Sequence, residues 1–491
     1  MSTPAREITA PLHDSKSSVG EQKFSLMTLT AMVVGSMVGA GIFSLPSAFG
    51  RATGPFGAMI AWTIAGAGML MLAFVFQTLA QRKPDLDAGV YAYAKAGFGN
   101  YPGFLSALGY WTGTAIGNVT YFILIKSTLG IFFPIFGDGN TVFAVFVSSL
   151  ILWAVHFMIL RGVKEAAGVN TVVTIAKILP IIAFIVLVAF AFRSELFMQS
   201  FWGGGEYSFS DIFEQVRSTM LVTVFVFLGI EGASVYSRYA RRREDVGIAT
   251  LLGFAGVLCL LVLVTILSYG VLPRAELGAL RNPSMAGVLE AVVGRWGAVF
   301  VSAGLIVSVL GAYLSWSLLA AEVAFTAANT KDMPAFLAHE NENGVPSTAL
   351  WVTNGLVQLF LVVTLFSQEA FTFFLKLASA MNLIPYFLVA AFALQLTWRG
   401  ETYETAPQDR RGDLIRALLA TIYTAFLLWA GGMKFLLLST VIYGPGTVLF
   451  FMARREQGQP VFTGPEWVLF AVAVAGAVAA LYGLATGMIT I

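Results

Sequence analysis

Gly35-Ser36-Met37-Val38-Gly39-Ala40-Gly41-Ile42-Phe43-Ser44-Leu45-Pro46 lies inside an apolar run from about Leu26 to Phe49. A helix needs roughly 20 such residues to cross a bilayer, so the run is long enough to span. Its middle is unusual: three glycines fall within seven positions, and a proline follows five residues after the last. Glycine weakens a helix by the backbone freedom it gives up, and proline lacks the N–H that a helical turn uses. The composition predicts a break near the membrane midplane. Lipid offers no hydrogen-bond partner, so broken backbone at that depth must line a cavity or lie buried in protein. Secondary transporters hold ligands at such breaks. Taken alone, the stretch has a second reading, because Gly35 and Gly39 also have the small-xxx-small spacing by which helices pack closely. The rest of the chain decides between the two.

Of the 491 residues, 57% are hydrophobic and only 11% charged, with a mean hydropathy of +0.79. A soluble domain carries roughly 25% charged residues. The chain therefore reads as an all-α polytopic membrane protein, with the lipid bilayer as its surroundings. A net charge of +2 is too small to imply a nucleic-acid partner. The single cysteine, Cys259, excludes an internal disulfide and a cysteine metal cluster. His13, His156 and His339 stand too far apart in sequence to suggest a metal site, and no cofactor is expected. Residues 1–24 are polar and mixed in charge, without the apolar core of a signal peptide, and read as a cytoplasmic tail.

Thirteen apolar segments fall near 26–48, 56–80, 103–133, 141–160, 170–192, 215–237, 247–272, 295–327, 348–366, 370–396, 413–432, 434–453 and 466–489. With the N-terminus cytoplasmic, nineteen Lys and Arg side chains fall inside, among them Arg82, Lys83, Lys95, Lys164, Arg238, Arg241 and Lys331. Seven fall outside: Arg51, Arg193, Arg217, Arg274, Arg281, Arg295 and Lys434. That asymmetry satisfies the positive-inside rule and predicts a multi-pass protein of the cytoplasmic (inner) membrane. An odd number of spans places the C-terminus outside.

The first ten segments divide into two sets of five, over 25–192 and 193–397, followed by three C-terminal helices over 398–491. The sixth segment carries Phe225-Val226-Phe227-Leu228-Gly229-Ile230-Glu231-Gly232-Ala233-Ser234, interrupted about halfway, as the first segment is. Five helices per set make the first and sixth run in opposite directions. Paired interruptions at matching positions are the sequence signature of an inverted-repeat transporter and its binding site. This favours the broken-helix reading of the first segment over simple packing.

A dry site between such breaks must replace the water around any charged group a ligand carries. A break in the first segment supplies free N–H groups and a positive helix end for a carboxylate. Free carbonyls at Leu228-Gly229-Ile230 suit an α-ammonium. Trp316 and Phe225 could offer faces to a cationic tail, an interaction of ~0.5–2 kcal/mol, or be lipid-facing or core aromatics. Asn118 is polar in an apolar helix beside Gly109, Gly113 and Gly117, where interhelical hydrogen bonding is the other role open to it. Four ionisable residues look buried: Lys126, Lys177, Glu231 and Lys376. A mid-membrane charge costs ~2.5–3.5 kcal/mol on insertion scales, so each needs a reason. Glu231, two residues past Gly229, is placed to hold a cation, exchange a proton or fix the broken backbone. Lys126, near the end of the third segment, is expected to snorkel to the surface. Lys376 has no assigned role.

The stretch Gly35–Pro46 resembles the first-helix signature of the amino acid–polyamine–organocation superfamily. Within it, Arg82-Lys83-Pro84-Asp85-Leu86-Asp87-Ala88-Gly89-Val90-Tyr91-Ala92-Tyr93-Ala94-Lys95-Ala96-Gly97-Phe98-Gly99 resembles the arginine/ornithine branch of the basic amino acid/polyamine antiporters. Thirteen segments are also a mark of that branch. The resemblance, from about Ser25 to the end, implies a leucine-transporter-like 5+5 inverted repeat with the first and sixth helices broken. It implies that Gly39, Ala40, Gly41 and Ile42 bind the substrate carboxylate, although the family often has serine where this chain has Ala40. Phe225 falls where related antiporters carry a gating tryptophan, and Leu228 and Gly229 belong to the same break. Asn118 matches a side-chain-binding asparagine, with Tyr121 next to it on the same face, and Trp316 matches the tryptophan against which the substrate's side chain packs. Lys177 resembles lysines that stand where sodium-coupled relatives bind sodium.

The implied function is exchange of small cationic amino acids, arginine against ornithine, with lysine permeation and proton symport as alternatives. A homodimer is also compatible with it. Two readings from other classes fare worse. A membrane-embedded enzyme would need a nucleophile elbow, a metal-binding HExxH or paired carboxylates, and none is present in the sequence. A channel would show rings or stripes of polar residues, and a nutrient sensor a sizeable soluble domain.

Overall fold

The structure is a computed structural model and describes residues 25–86, 89–162, 167–231, 243–367, 369–404 and 406–489. The tail over 1–24, Lys164, and the second break beyond Glu231, with Arg238, Arg241 and Arg242, lie outside the described residues. Every regular element among the described residues is helical.

The first segment is split into α1 (Leu26–Met37), a 3-10 turn (Ala40–Ser44) and α2 (Leu45–Ala52). There follow α3 (Pro55–Arg82), α4 (Val90–Phe98), α5 (Asn100–Phe132), α6 (Val142–Leu160), α7 (Ala167–Phe190), α8 (Ser194–Gln199) and α9 (Phe209–Val226). Beyond the second break come α10 (Arg243–Ser268), α11 (Arg274–Ala279), α12 (Ser284–Val293), α13 (Arg295–Asn329) and α14 (Ser347–Val363). The chain ends with α15 (Ala370–Arg399), α16 (Arg410–Ala430), α17 (Gly432–Glu456) and α18 (Gly464–Ala485). Each of the thirteen apolar segments contains a helix. Among the described residues, ten helices are long and apolar enough to cross a membrane, and the bent pair at the first break would be an eleventh. The protein is a multi-pass helical membrane protein. The short helices α4, α8, α11 and α12 sit in connectors that hydropathy alone reads as loops.

Burial orders the helices. In its most apolar stretch α5 is 78% buried and α15 72%, against 28% for α17 and 22% for α18. The α5–α15 pair is therefore the central axis and the last two helices are peripheral. Gly109 and Gly113 explain how closely that pair approaches: a Cβ at Gly113 would lie 3.0 Å from Met381 Cβ, and one at Gly109 2.9 Å from Met381 O. Around the axis, α13 packs on α5 and α7, α1 on α10, and α3 on α9 and α16.

The connectors sort into two faces. On one, Lys95 pairs with Asp332 at 2.6 Å, Arg82 with Asp409 at 3.2 Å and Asp413 at 3.4 Å, and Gln457 Nε2 donates to Lys331 O at 2.8 Å. Tyr403 donates to Asp413 at 2.9 Å, and burial with that bond pushes its hydroxyl far above the usual range, so it stays a donor. On the other face Arg281 pairs with Asp138 and donates to Gly137 O at 2.7 Å, and Arg274 donates to Gly50 O at 3.1 Å. Each pair is separated by an even number of apolar segments, as alternating traversal demands. A single segment that failed to cross would leave partners on opposite sides of the bilayer.

Lys126 departs from expectation. Instead of snorkelling to the surface it is 1% exposed, and its ammonium donates to Thr364 Oγ1 at 3.1 Å, where α14 ends. The loop at Gly139 folds over its stem, with a Cβ there only 3.0 Å from Lys126 Cβ. The stem has no free path to water, and the end of α14 provides the negative dipole end that a buried cation needs.

Candidate substrate cavity between two broken helices

At the first break the chain bends by 47° between α1 and the turn that leads into α2. Gly39 is extended (φ −110°, ψ −163°) and caps the turn without a side-chain hydrogen bond. The N–H groups of Ala40 and Gly41 come before the turn's own hydrogen bonds begin, so they are left for another partner. Pro46 stands at the start of α2, where its missing N–H costs nothing. The glycines divide the work. A Cβ at Gly35 would meet nothing within 4 Å, and one at Gly39 only the Tyr121 hydroxyl, at 3.6 Å, apart from neighbouring backbone. The close-packing reading of the Gly35–Gly39 pair therefore has no support. At Gly41 a Cβ would fall 2.7 Å from Val226 Cγ1 and 2.9 Å from Phe225 Cδ1. Gly41 is what lets the first break seat against the end of α9.

The second break begins as α9 tightens into turns, with Phe227 N bonded to Val224 O at 3.1 Å and Leu228 N to Phe225 O at 3.3 Å. Gly229 takes φ +100°, a conformation favoured by glycine. A Cβ at Gly229 would collide with Ser36 O. The Ser36 hydroxyl lies 2.8 Å from Val33 O and 3.2 Å from Gly229 O, bridging the two breaks. Glu231 closes the turn from behind: its carboxylate accepts from Gly229 N at 3.2 Å, from Tyr386 at 2.6 Å, and from Tyr110. One side chain thus ties the break to both α5 and α15. Lys177, 8% exposed on α7, donates to Gly35 O at 3.3 Å. A cation there complements the negative end of α1.

Between the two breaks lies a narrow cavity. Gly39, Ala40, Gly41, Ile42, Asn118, Tyr121, Phe225, Leu228 and Trp316 all line it. Gly229, Glu231 and Lys177 do not; they hold the two breaks from outside. Sequence reasoning missed Ser36, Thr114, Val226 and Leu261 in the lining. Gly117 shares the turn spacing of Gly109 and Gly113, but a Cβ there would meet nothing within 4 Å, and it opens onto the cavity. Tyr110 and Tyr386 left no signal, because their common partner, Glu231, is met only in three dimensions.

Every lining side chain among the described residues is uncharged. What the lining presents to a ligand is backbone, aromatic faces, one amide and the hydroxyls of Ser36, Thr114 and Tyr121. Asn118 is fully buried, its Nδ2 donates to Ser317 Oγ at 3.4 Å, and its Oδ1 has no partner. A buried unpaired acceptor costs roughly 1–3 kcal/mol, which a ligand with a donor would recover. Free N–H groups on one wall and a free carbonyl oxygen on another suit a molecule that is anionic at one end and a donor at the other.

Residues 24–462 match the sequence profile of the family described as amino acid permease. The chain is 54% identical over 481 residues to the arginine/ornithine antiporter of Pseudomonas aeruginosa, covering 97% of this chain and 100% of that one. It is 42% identical to the L-lysine transport protein of Corynebacterium glutamicum, over 95% of this chain and 96% of that one. It is 36% identical to the arginine/agmatine antiporter of Chlamydia abortus, over 90% and 92%.

Proposed function

The chain belongs to the amino acid permease family, and from that premise we propose that it is a secondary transporter exchanging cationic amino acids, arginine inward against ornithine outward, by alternating access. The observation that carries the reading is the uncharged cavity between the breaks, with free N–H groups at Ala40 and Gly41 and the unpaired Asn118 oxygen. The first takes the α-carboxylate, the second the cationic tail, and Trp316 and Phe225 flank that tail. The relatives named as arginine/ornithine antiporters support the pair of substrates. Lysine is the second reading, favoured by the similarity to a lysine transport protein. None of these relatives is named as an enzyme.

Thirteen spans, a cytoplasmic N-terminus and placement in the inner membrane complete the reading. It is supported by the two-faced sorting of the connectors and by the excess of Lys and Arg on one of those faces. Residues 25–192 and 193–397 act as the two inverted repeats, each beginning with its broken helix. Arginine and ornithine each carry one net positive charge, so one-for-one exchange moves no net charge and needs no ion gradient. Glu231, held by three donors outside the cavity, serves as a fixed anchor for the second break.

Counterflow into proteoliposomes tests this directly. Vesicles loaded with ornithine should take up labelled arginine, empty vesicles should not, and an imposed membrane potential should leave the rate nearly constant. Arginine methyl ester and agmatine, which lack the free carboxylate, should exchange poorly. Equal exchange of either would remove the carboxylate role of the first break. Strong uptake into empty vesicles driven by a pH gradient, and lost in Glu231→Gln, would make the protein a proton symporter.

A further inference from the structure

A second cavity, of about 530 Å³, opens on the face that carries Arg281, and its size falls in the range of small-molecule sites. Three connectors build it: the end of α2 at Gly50 and Arg51, the loop from Gln199 to Gly204, and α11 from Arg274 to Gly278. Each adjoins the end of an apolar span, so the cavity lies at the level where the headgroups of a bilayer begin. The aromatic residues of the loop agree with that level. Trp202 meets Phe56 at 4.8 Å and Tyr207 at 5.1 Å between ring centroids, and Tyr207 is 56% exposed. Amphipathic rings of this kind gather at membrane–water interfaces. Met198 and Phe209, on either side of the loop in sequence, are exposed and offer apolar surface that acyl chains can cover.

The charge of this cavity is one-sided. Its two ionisable lining residues are both arginine, Arg51 and Arg274, and no acidic side chain lines it. Arg274 donates from Nε to Gly50 O at 3.1 Å and from Nη2 to Arg51 O at 3.4 Å, which caps α2. Its Nη1 makes no hydrogen bond among the described residues, and it faces the loop, where a Cβ at Gly204 would lie 3.3 Å away. Arg51 reaches only Ser47 Oγ, at 3.4 Å, and pairs with no carboxylate among the described residues. Two guanidiniums around one space repel each other and leave donors unused. An anion between them removes both costs, and the two free oxygens of a phosphate diester match the planar fork of a guanidinium.

We propose that this cavity binds the phosphate of an anionic phospholipid, held between Arg51 and Arg274. The assignment is independent of the substrates proposed for the cavity between the breaks. Size favours a headgroup over a bare ion, since phosphate alone would leave most of the space empty. A zwitterionic headgroup fits less well, because its ammonium would face the same two arginines. A lipid bound there touches α2, the second half of the first broken segment, and the loop that leads into α9, the first half of the second. It therefore joins the ends of both broken segments.

The test adds phosphatidylglycerol, phosphatidylcholine or inorganic phosphate to the delipidated full-length protein in detergent. Binding is read by native mass spectrometry and by the thermal unfolding midpoint. Phosphatidylglycerol should bind and raise the midpoint, and phosphatidylcholine should bind at least about tenfold more weakly. Arg51→Gln should weaken phosphatidylglycerol about tenfold, the worth of one hydrogen bond to a charged group, and Arg51→Lys should keep part of the affinity. Gln199→Glu, which adds a carboxylate to the lining, should weaken it at least as much. Both variants leave the Arg274 cap of α2 in place, so both should fold. Wild-type affinity for phosphatidylglycerol in Arg51→Gln and Gln199→Glu, or equal binding of phosphatidylcholine by the wild type, would overturn the proposal. Stabilisation by inorganic phosphate alone that equals that of phosphatidylglycerol, and is lost in Arg51→Gln, would give the cavity to the free ion and overturn the lipid.

Discussion

The two broken segments face the same difficulty, free backbone groups inside a membrane protein, and resolve it in opposite ways. The first break leaves its N–H groups unclaimed beside the cavity, because its cap residue, Gly39, has no side chain to bond them. The second is tied on every side: Ser36 reaches the Gly229 carbonyl, Glu231 takes the Gly229 N–H, and two tyrosines hold Glu231. One break is built to receive a partner that comes and goes, and the other carries its partner permanently. A turn that must stay bent through many cycles is better served by a fixed carboxylate than by a ligand. On the proposed reading, a substrate's ammonium would meet the carbonyls of the residues Phe225, Val226 and Leu228 that line the cavity, rather than that of Gly229.

Breaking this contrast should hurt most at Gly229. Alanine there would take on a strained φ at ~1–3 kcal/mol and collide with the Ser36 carbonyl, so Gly229→Ala should lose transport and much of its thermal stability in detergent. A variant of wild-type stability would refute the tied turn. Glu231→Gln comes next, since it places an amide NH2 among three donors. A loss of about 1.5–3 kcal/mol in unfolding free energy is expected, with Tyr110→Phe and Tyr386→Phe each costing less. Lys177→Ala should slow exchange by up to about thirtyfold, in line with the ~2 kcal/mol ceiling of a cation at a helix end, without making transport sodium-dependent. Stimulation by sodium in that variant would contradict the assignment. Gly35→Ala should do least. Its Cβ would point into open space inside α1, so stability should stay level or rise by ~0.5–1 kcal/mol. Loss of exchange in this variant would show that α1 must flex, and the contrast would then lie in mobility as well as in capping.

The helical segments and the first break were legible because both are written locally: apolar length marks a span, and clustered glycine with proline marks a fracture. Nine of the twelve residues singled out in the sequence line one cavity, since the family signatures that mark them are also contiguous or turn-spaced. What stayed hidden depends on distance along the chain. Glu231 could be suspected as a buried acid, but its tyrosine partners sit 121 and 155 residues away. Lys126 was misjudged because position near a helix end says nothing about whether a loop closes over it. Gly117 shares its spacing with Gly109 and Gly113, yet nothing in that spacing reveals that its neighbour is space rather than α15. His156 reads in sequence as one of three scattered histidines, while Trp351 and Asn354, which pack against it, lie on α14.

Glu466 lies on α18, a peripheral helix. Its carboxylate caps its own helix by accepting from Thr463 N at 2.8 Å, and its other oxygen accepts from Tyr101 N at 2.8 Å. Tyr101 opens α5, whose own cap, Gly99, provides no side-chain hydrogen bond. The outermost helix therefore finishes the central one. Truncating the chain before residue 464 would strip away more than lipid-facing bulk. It would uncover a buried N–H at the base of the helix that carries Asn118, at a cost of roughly 1–3 kcal/mol. A shortened descendant of this chain could dispense with its thirteenth segment only after finding α5 a new cap.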